Sequence, residues 1–223
     1  MGGGRARSRV AAVGAAPPLV PDYWSRAKRS LARRDPVLAQ VIRAHPGTAL
    51  RGRGDAFQTL ARSIVGQQIS VKAADSVWRR FFDAVGAVQP AAVLRTGVHT
   101  LRNCGLSQRK VEYLIEIATQ FSSGAVDPLT WAVLDDETII EQLVRVRGVG
   151  RWTAEMVLIF GLLRPNVLPL DDLGLQRAVG LRYFSGRRVS VGTLRRLALN
   201  WEPWRSVATW YLWRSLDPVP VEY

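Results

Sequence analysis

The sequence predicts an all-α protein. Apolar residues recur at helical spacing in most segments, Ser and Asp repeatedly stand just ahead of those stripes as helix caps, and alternating strand patterns are sparse. The chain has 223 residues, 48% of them hydrophobic, enough for one substantial domain or two small lobes sharing a core. No internal repeat or interdomain linker stands out.

Residues 1–18, MGGGRARSRVAAVGAAPP, mix Gly, Ala and Arg with little to bury and are expected to be a flexible basic tail, with the folded domain over residues 19–223. From about Asp22 to Arg43, the apolar residues Leu31, Val37, Leu38, Val41 and Ile42 suggest one or two packing helices. In DAFQTLARSIVGQQIS, residues Phe57, Leu60, Ala61, Ile64 and Val65 make a helical stripe that opens near Asp55 and stops at Gly66. Gln67 and Gln68 follow in the turn. Ser70 then caps a helix running through Ala74, Val77, Trp78, Phe81 and Phe82.

Ser107 caps a further helix, with Val111, Leu114, Ile115, Ala118 and Phe121 on one face, and the loop before it is short, exposed and basic. Ile139, Ile140, Leu143 and Val144 form the next helix. The chain turns at Gly148-Val149-Gly150, and helical spacing resumes at Trp152, Met156, Val157 and Phe160. Leu175, Val179 and Tyr183 mark a helix after Asp172. Gly186 to Arg188 make a basic turn, Ser190 caps a helix through Leu194, Leu197 and Ala198, and the last helix begins near Pro203 and carries Trp204, Val207, Trp210, Tyr211 and Trp213.

Charge narrows the function. The 31 Lys+Arg against 18 Asp+Glu give a net charge of +13, which points to a polyanionic partner. Apart from Lys28, Lys72 and Lys110 the basic residues are arginines, which make forked phosphate contacts. Cys104 is the only cysteine, which excludes an internal disulfide, an all-cysteine zinc site and a cluster held by four cysteines. His45 and His99 are too few and too far apart to suggest a metal site. No apolar run reaches the roughly eighteen residues needed to span a bilayer, and no signal-peptide core is visible. The expected setting is cytoplasmic, a reducing compartment that contains DNA, and the default expectation is a monomer without membrane association.

The stretch LVRVRGVGRWTAEMVLIFGLLRPNVLPLDDLGLQR, Leu143 to Arg177, carries the chemistry. Two glycines one residue apart allow positive φ and close approach of a foreign backbone, and the helix that follows opens with unpaired N–H groups suited to a phosphate. Some twenty residues on, Asp171 and Asp172 follow Pro169 and precede an apolar helix. Taken alone, Asp172 reads as a helix cap; with the hairpin upstream it reads as a reactive acid.

The hairpin, the LPxDD that follows it and the upstream GQQIS together resemble the helix-hairpin-helix DNA glycosylases of base excision repair. The resemblance runs from about Asp55 to Trp213 and is strongest to the bacterial 3-methyladenine DNA glycosylase II branch, without that branch's N-terminal β domain. It implies two helical lobes flanking an active-site cleft, double-stranded DNA with damaged bases as partner, and hydrolytic excision of alkylated purines such as 3-methyladenine and 7-methylguanine. The alternatives are a non-catalytic DNA-binding protein with the same hairpin, or a glycosylase for uracil or an oxidised base.

By position, the resemblance makes Asp172 the catalytic acid, with Asp171 as fallback. A carboxylate beside C1′ stabilises the cationic sugar that forms as the base leaves and can orient the attacking water. It makes Trp152, Trp213, Gln67 and Met156 substrate-binding, since a π-rich pocket attracts a cationic alkylated base. Gly148, Val149, Gly150 and Arg151 would bind DNA through the hairpin. Gln108 or Leu106 would wedge into the duplex, unless the loop is only a capped turn. Related bifunctional enzymes have lysine at the position of Trp152; an indole forms no Schiff base, so no strand cleavage is expected. No cofactor is required. The family often adds a structural Na+ or K+ on hairpin carbonyls, which match Val144, Val146 and Val149.

Overall fold

Each helix start that the sequence marks with a short polar side chain is closed by that side chain. In the computed structural model, which describes residues 20–52 and 55–216, Asp55 accepts from the Gln58 amide at 2.9 Å, Ser70 from Ala73 at 3.3 Å, Ser107 from Lys110 at 3.3 Å and Ser190 from Thr193 at 3.1 Å. Each bond satisfies an amide that has no partner inside its helix. The basic tail expected over residues 1–18 lies outside the described residues.

The described residues form twelve α-helices and contain no sheet. The first are α1 (Trp24–Arg34), α2 (Pro36–Ala44), α3 (Ala56–Gly66), α4 (Val71–Val85), α5 (Pro90–Thr96), α6 (Val98–Asn103) and α7 (Gln108–Ser122). They are followed by α8 (Asp136–Val144), α9 (Arg151–Met156), α10 (Leu173–Tyr183), α11 (Val191–Leu197) and α12 (Arg205–Arg214). Two lobes share one core. In the first, α3 runs centrally and packs on α4, α7 and α9; in the second, α12 packs on α1, α2 and α10. The segment before α3 therefore belongs to the same lobe as the C-terminal helices. Trp24 of α1 fixes this, lying 5.2 Å edge-on from Trp210 and 5.7 Å from Tyr211 between ring centroids.

Two segments depart from the expected pattern. The helix after the hairpin is regular only over Arg151–Met156 and then widens into a π-turn over Val157–Gly161, closed by the Leu162 amide on the Val157 carbonyl at 2.8 Å. Gly161 permits this because its Cα sits against α3: a Cβ there would lie 3.2 Å from Thr59 Oγ1 and 3.4 Å from Ala56 Cα. The last helix begins at Arg205, two residues beyond Pro203. The link from the π-turn to α10 is held across the lobes, with Ser206 Oγ donating to the Arg164 carbonyl at 2.6 Å and accepting from the Val167 amide at 2.9 Å. Such a link delivers the residues before α10 to a fixed place between the lobes.

Candidate active site

The hairpin between α8 and α9 is tied to the first lobe from below. Gly148 has φ +95°, and a Cβ there would lie 2.3 Å from the Tyr113 ring, so glycine is required both by conformation and by the ring beneath it. Gln67 Nε2 donates to the Gly148 carbonyl at 3.4 Å, which links the GQQIS turn to the hairpin. Gly150 does not use the conformational freedom expected of it: its φ is −88°, and a Cβ there would meet nothing within 4 Å. Val146 and Val149 are buried, while Val144 is exposed.

For a monovalent cation, the backbone carbonyls of Val144, Val146 and Val149 are hard neutral oxygen donors. The Val146 oxygen accepts from the Val149 amide at 3.0 Å, leaving one lone pair for an ion. Among the described residues no group of three or more His, Cys, Asp or Glu could hold a metal.

Arg151 is engaged by carboxylates. Its guanidinium donates to both oxygens of Glu137, at 2.6 and 2.7 Å, and its Nε donates to Glu155 at 3.2 Å. What reaches outward here is the face of a paired guanidinium. Glu155 is buried, and burial pushes its carboxyl up to about 7, with Arg151 opposing the rise. The folded value lies above the ordinary 4.5, so the stability that Glu155 contributes is complete below the unfolded value and is lost as pH rises through about 7. Between pH 5 and 8 the wild-type melting temperature is therefore expected to fall more steeply than that of Glu155→Gln; parallel melting curves across this range would contradict the assignment.

Asp172 stands at the N-cap of α10, delivered there by the link from the π-turn. Its Oδ1 accepts from the Leu175 amide at 2.5 Å and from Trp213 Nε1 at 2.8 Å, and its Oδ2 accepts from Trp152 Nε1 at 2.8 Å. Trp152 comes from α9 in one lobe and Trp213 from α12 in the other, so the carboxylate is clamped across the junction. It remains half-buried, whereas Asp171 is exposed beside it.

The structure brings Asp172, Trp152 and Trp213 together and assigns the two indoles a task beyond an aromatic wall, that of N–H donors to the acid. Two further residues complete the arrangement without having been singled out in the sequence. Phe160, at the π-turn, stacks on Trp213 with centroids 6.0 Å apart and planes 9° apart. Gly174 makes room: a Cβ there would lie 3.1 Å from Asp172 Oδ1 and 3.4 Å from Trp213 Nε1.

Other expected site residues are separated from the cleft. Met156 is fully buried and has no exposed surface with which to line an open pocket. Leu106 is 4% exposed and packed in the core, which corrects its assignment to an exposed wedge: an apolar side chain next to a capped helix start gains more by turning inward. Gln108 is exposed at the start of α7, but its amide is occupied by Arg102 at 2.9 Å and Glu112 at 3.1 Å. Gln68 is exposed in the left-handed region at φ 58°, next to the glutamine that holds the hairpin. A non-glycine residue in that conformation is unusual enough to suggest a role.

Residues 61–203 match the model of the HhH-GPD superfamily of base excision DNA repair proteins. The chain belongs to this superfamily. A DNA-3-methyladenine glycosylase from Schizosaccharomyces pombe is 35% identical over 166 residues, 71% of this chain and 72% of that protein. The Bacillus subtilis protein YfjP is 30% identical over 188 residues, 81% of this chain and 66% of that protein. The chain thus spans about two thirds of the length of these relatives. The S. pombe 3-methyladenine DNA glycosylase Mag1, solved in complex with abasic DNA, superimposes with a TM-score of 0.75 at 28% identity, covering 85% of this chain and 96% of that one.

Proposed function

We propose that this chain is a monofunctional DNA glycosylase that extrudes alkylated purines from duplex DNA and hydrolyses their glycosidic bond. The observation that carries this reading is the carboxylate of Asp172, held from both lobes by the N–H groups of Trp152 and Trp213 and only half-buried. A structural cap needs one amide; two indole donors from different lobes fix the orientation of both oxygens, which is what a charge-stabilising acid requires.

A base inside a duplex is out of reach, so the nucleotide must leave the stack. The amides of Gly148 and Gly150 hold a backbone phosphate, with Na+ or K+ on the Val144, Val146 and Val149 carbonyls adding positive charge when bound. Gln68, exposed and next in sequence to the glutamine that bonds the hairpin, would enter the space left by the flipped nucleotide. As the bond between C1′ and the purine nitrogen breaks, its electron pair leaves with the base, and the positive charge on the sugar faces Asp172. Water attacks C1′ and loses a proton to solvent, giving free base and an abasic strand. Alkylation at a ring nitrogen already makes the base a cationic leaving group, and the flanking rings attract it by about 0.5 to 2 kcal/mol per good contact. No lysine is present at Trp152 to continue into strand cleavage.

The test uses a duplex oligonucleotide with a single methylated purine. Wild-type protein is expected to release free base, with strand breaks appearing only after alkali. Breaks without alkali would refute the monofunctional assignment, and tight DNA binding with no base released from this or other lesions would make the chain a binding module.

A further inference from the structure

One basic groove lies on the flank of α10, outside the constellation around Asp172. It has a volume of about 330 Å³ and is lined by Leu173, Gln176 and Arg177 from one face of α10 and by Arg187 and Arg188 from the loop that follows, with no acidic residue in its lining. Among the described residues, none of the three arginines forms an ion pair with a carboxylate. Each is exposed. By contrast, Arg147 and Arg151 at the hairpin are already paired with glutamates. Arg145, exposed just ahead of them in sequence, has no carboxylate partner among the described residues either, so unpaired positive charge lies both at the hairpin and beside α10.

The loop is built to stay there. Gly180 lets it press onto the helix: a Cβ at this position would lie 2.5 Å from the Arg187 carbonyl oxygen. The Gly186 amide donates to the Gly180 carbonyl at 2.9 Å, and the Arg187 amide to that of Phe184 at 3.0 Å. Ser185 and Gly186 both take positive φ, at 52° and 85°, turning the chain so that the next two residues face the groove. The groove begins at Leu173, which directly follows Asp172 and is 77% exposed. From there to Gly180 the helix rises roughly 10 Å at about 1.5 Å per residue, the axial length of about three nucleotides of one DNA strand.

We infer that this groove is a second DNA-contacting surface, in which Arg177, Arg187 and Arg188 hold the phosphodiester backbone of the strand flanking the nucleotide presented to Asp172. The choice of DNA as occupant rests on the glycosylase reading; the existence of a polyanion surface rests on the groove itself. Phosphate contacts of this kind set register and orientation without reading sequence. Two anchors, the hairpin and this groove, would hold the strand on both sides of a residue that must swing out.

The experiment is a binding titration of the full chain on a short undamaged fluorescent duplex, followed by anisotropy across about 50 to 200 mM salt. Each neutralised phosphate contributes a slope of about −0.9 to log K against log salt. Wild type is expected to exceed the double variant Arg187→Ala with Arg188→Ala by roughly 2 in slope, and so to lose about tenfold more affinity over that range. The pair Arg187→Lys with Arg188→Lys should recover most of the slope, which a folding defect would not allow. Equal slopes for wild type and the alanine pair would overturn the proposal. Because undamaged DNA is used, the result is independent of base excision: a reduced slope in a protein that releases no base keeps the surface and removes the activity, and base release with unchanged slopes does the reverse.

Discussion

Asp172→Asn is expected to reduce release of a methylated purine by about 10³-fold or more, with DNA binding retained. Removing a single preorganised donor from a transition-state site costs roughly 10² to 10³ in rate, and here a full charge facing the nascent sugar cation is lost. The substitution also disturbs the clamp. Trp152 donates to one carboxylate oxygen, and Trp213 and the Leu175 amide donate to the other. An asparagine has one acceptor oxygen and turns its amide nitrogen toward one of the indole N–H groups, placing donor against donor. Single-turnover base release measures the chemical defect, and affinity for a duplex with an abasic site checks that the DNA-bound geometry survives. Asp171→Asn is the control. Its parent side chain is exposed and stands outside the clamp, so its release rate is expected to stay within a few-fold of wild type. A large loss at Asp171 with little at Asp172 would reverse the two assignments and leave Asp172 as a cap.

Much of this site was legible because it is written in local chemistry. The caps at Asp55, Ser70, Ser107 and Ser190 depend on residues three apart, and each formed as read. Gly148 stands where the backbone needs positive φ, which almost only glycine supplies cheaply. What sequence could not display was direction. Trp152 and Trp213 were readable as aromatic residues near the acid, but their N–H groups converge on one carboxylate only after segments 20 and 41 positions apart in sequence have folded together. Gly174 is ordinary in a helix until the approach of Trp213 is known. The wedge loop misled for a related reason: Leu106 sits among polar and basic neighbours, and only the packing of α7 on α5 and α3 shows that its side chain points inward. The π-turn at Val157–Gly161 has no composition signature, and the close approach of α3 to Gly161 within it shows only in the fold.

A second aspartate shows how the same local motif serves stability instead. Asp35 caps α2, its Oδ1 accepting from the amides of Val37 and Leu38 at 3.0 Å, while its Oδ2 accepts from Tyr183 Oη at 2.7 Å and Trp201 Nε1 at 3.0 Å. Like Asp172 it is an N-cap that also receives an indole N–H. Unlike Asp172 it is 5% exposed, with no oxygen open to a substrate. Burial, reinforced by the facing carboxylate, pushes the Tyr183 phenol up, so that group remains a donor across the working pH range. Asp35 thereby fastens α2 to α10 and to the short 3₁₀ turn at Ala198–Trp201, elements 148 and 166 positions away. Asp35→Ala removes a cap worth about 0.5 to 2 kcal/mol and leaves a buried phenol and indole without their acceptor, at about 1 to 3 kcal/mol each. The expected loss is about 2.5 to 8 kcal/mol, a fall in melting temperature of roughly 10 °C or more for a chain of this size. Asp35→Asn keeps an acceptor for the cap but presents an amide to the indole, so its loss should be smaller. If Asp35→Ala melts within a few degrees of wild type, the carboxylate is not the fastener. If instead its melting falls as expected while base release per folded molecule is preserved, the exposure of the second oxygen is what separates the structural aspartate from the catalytic one.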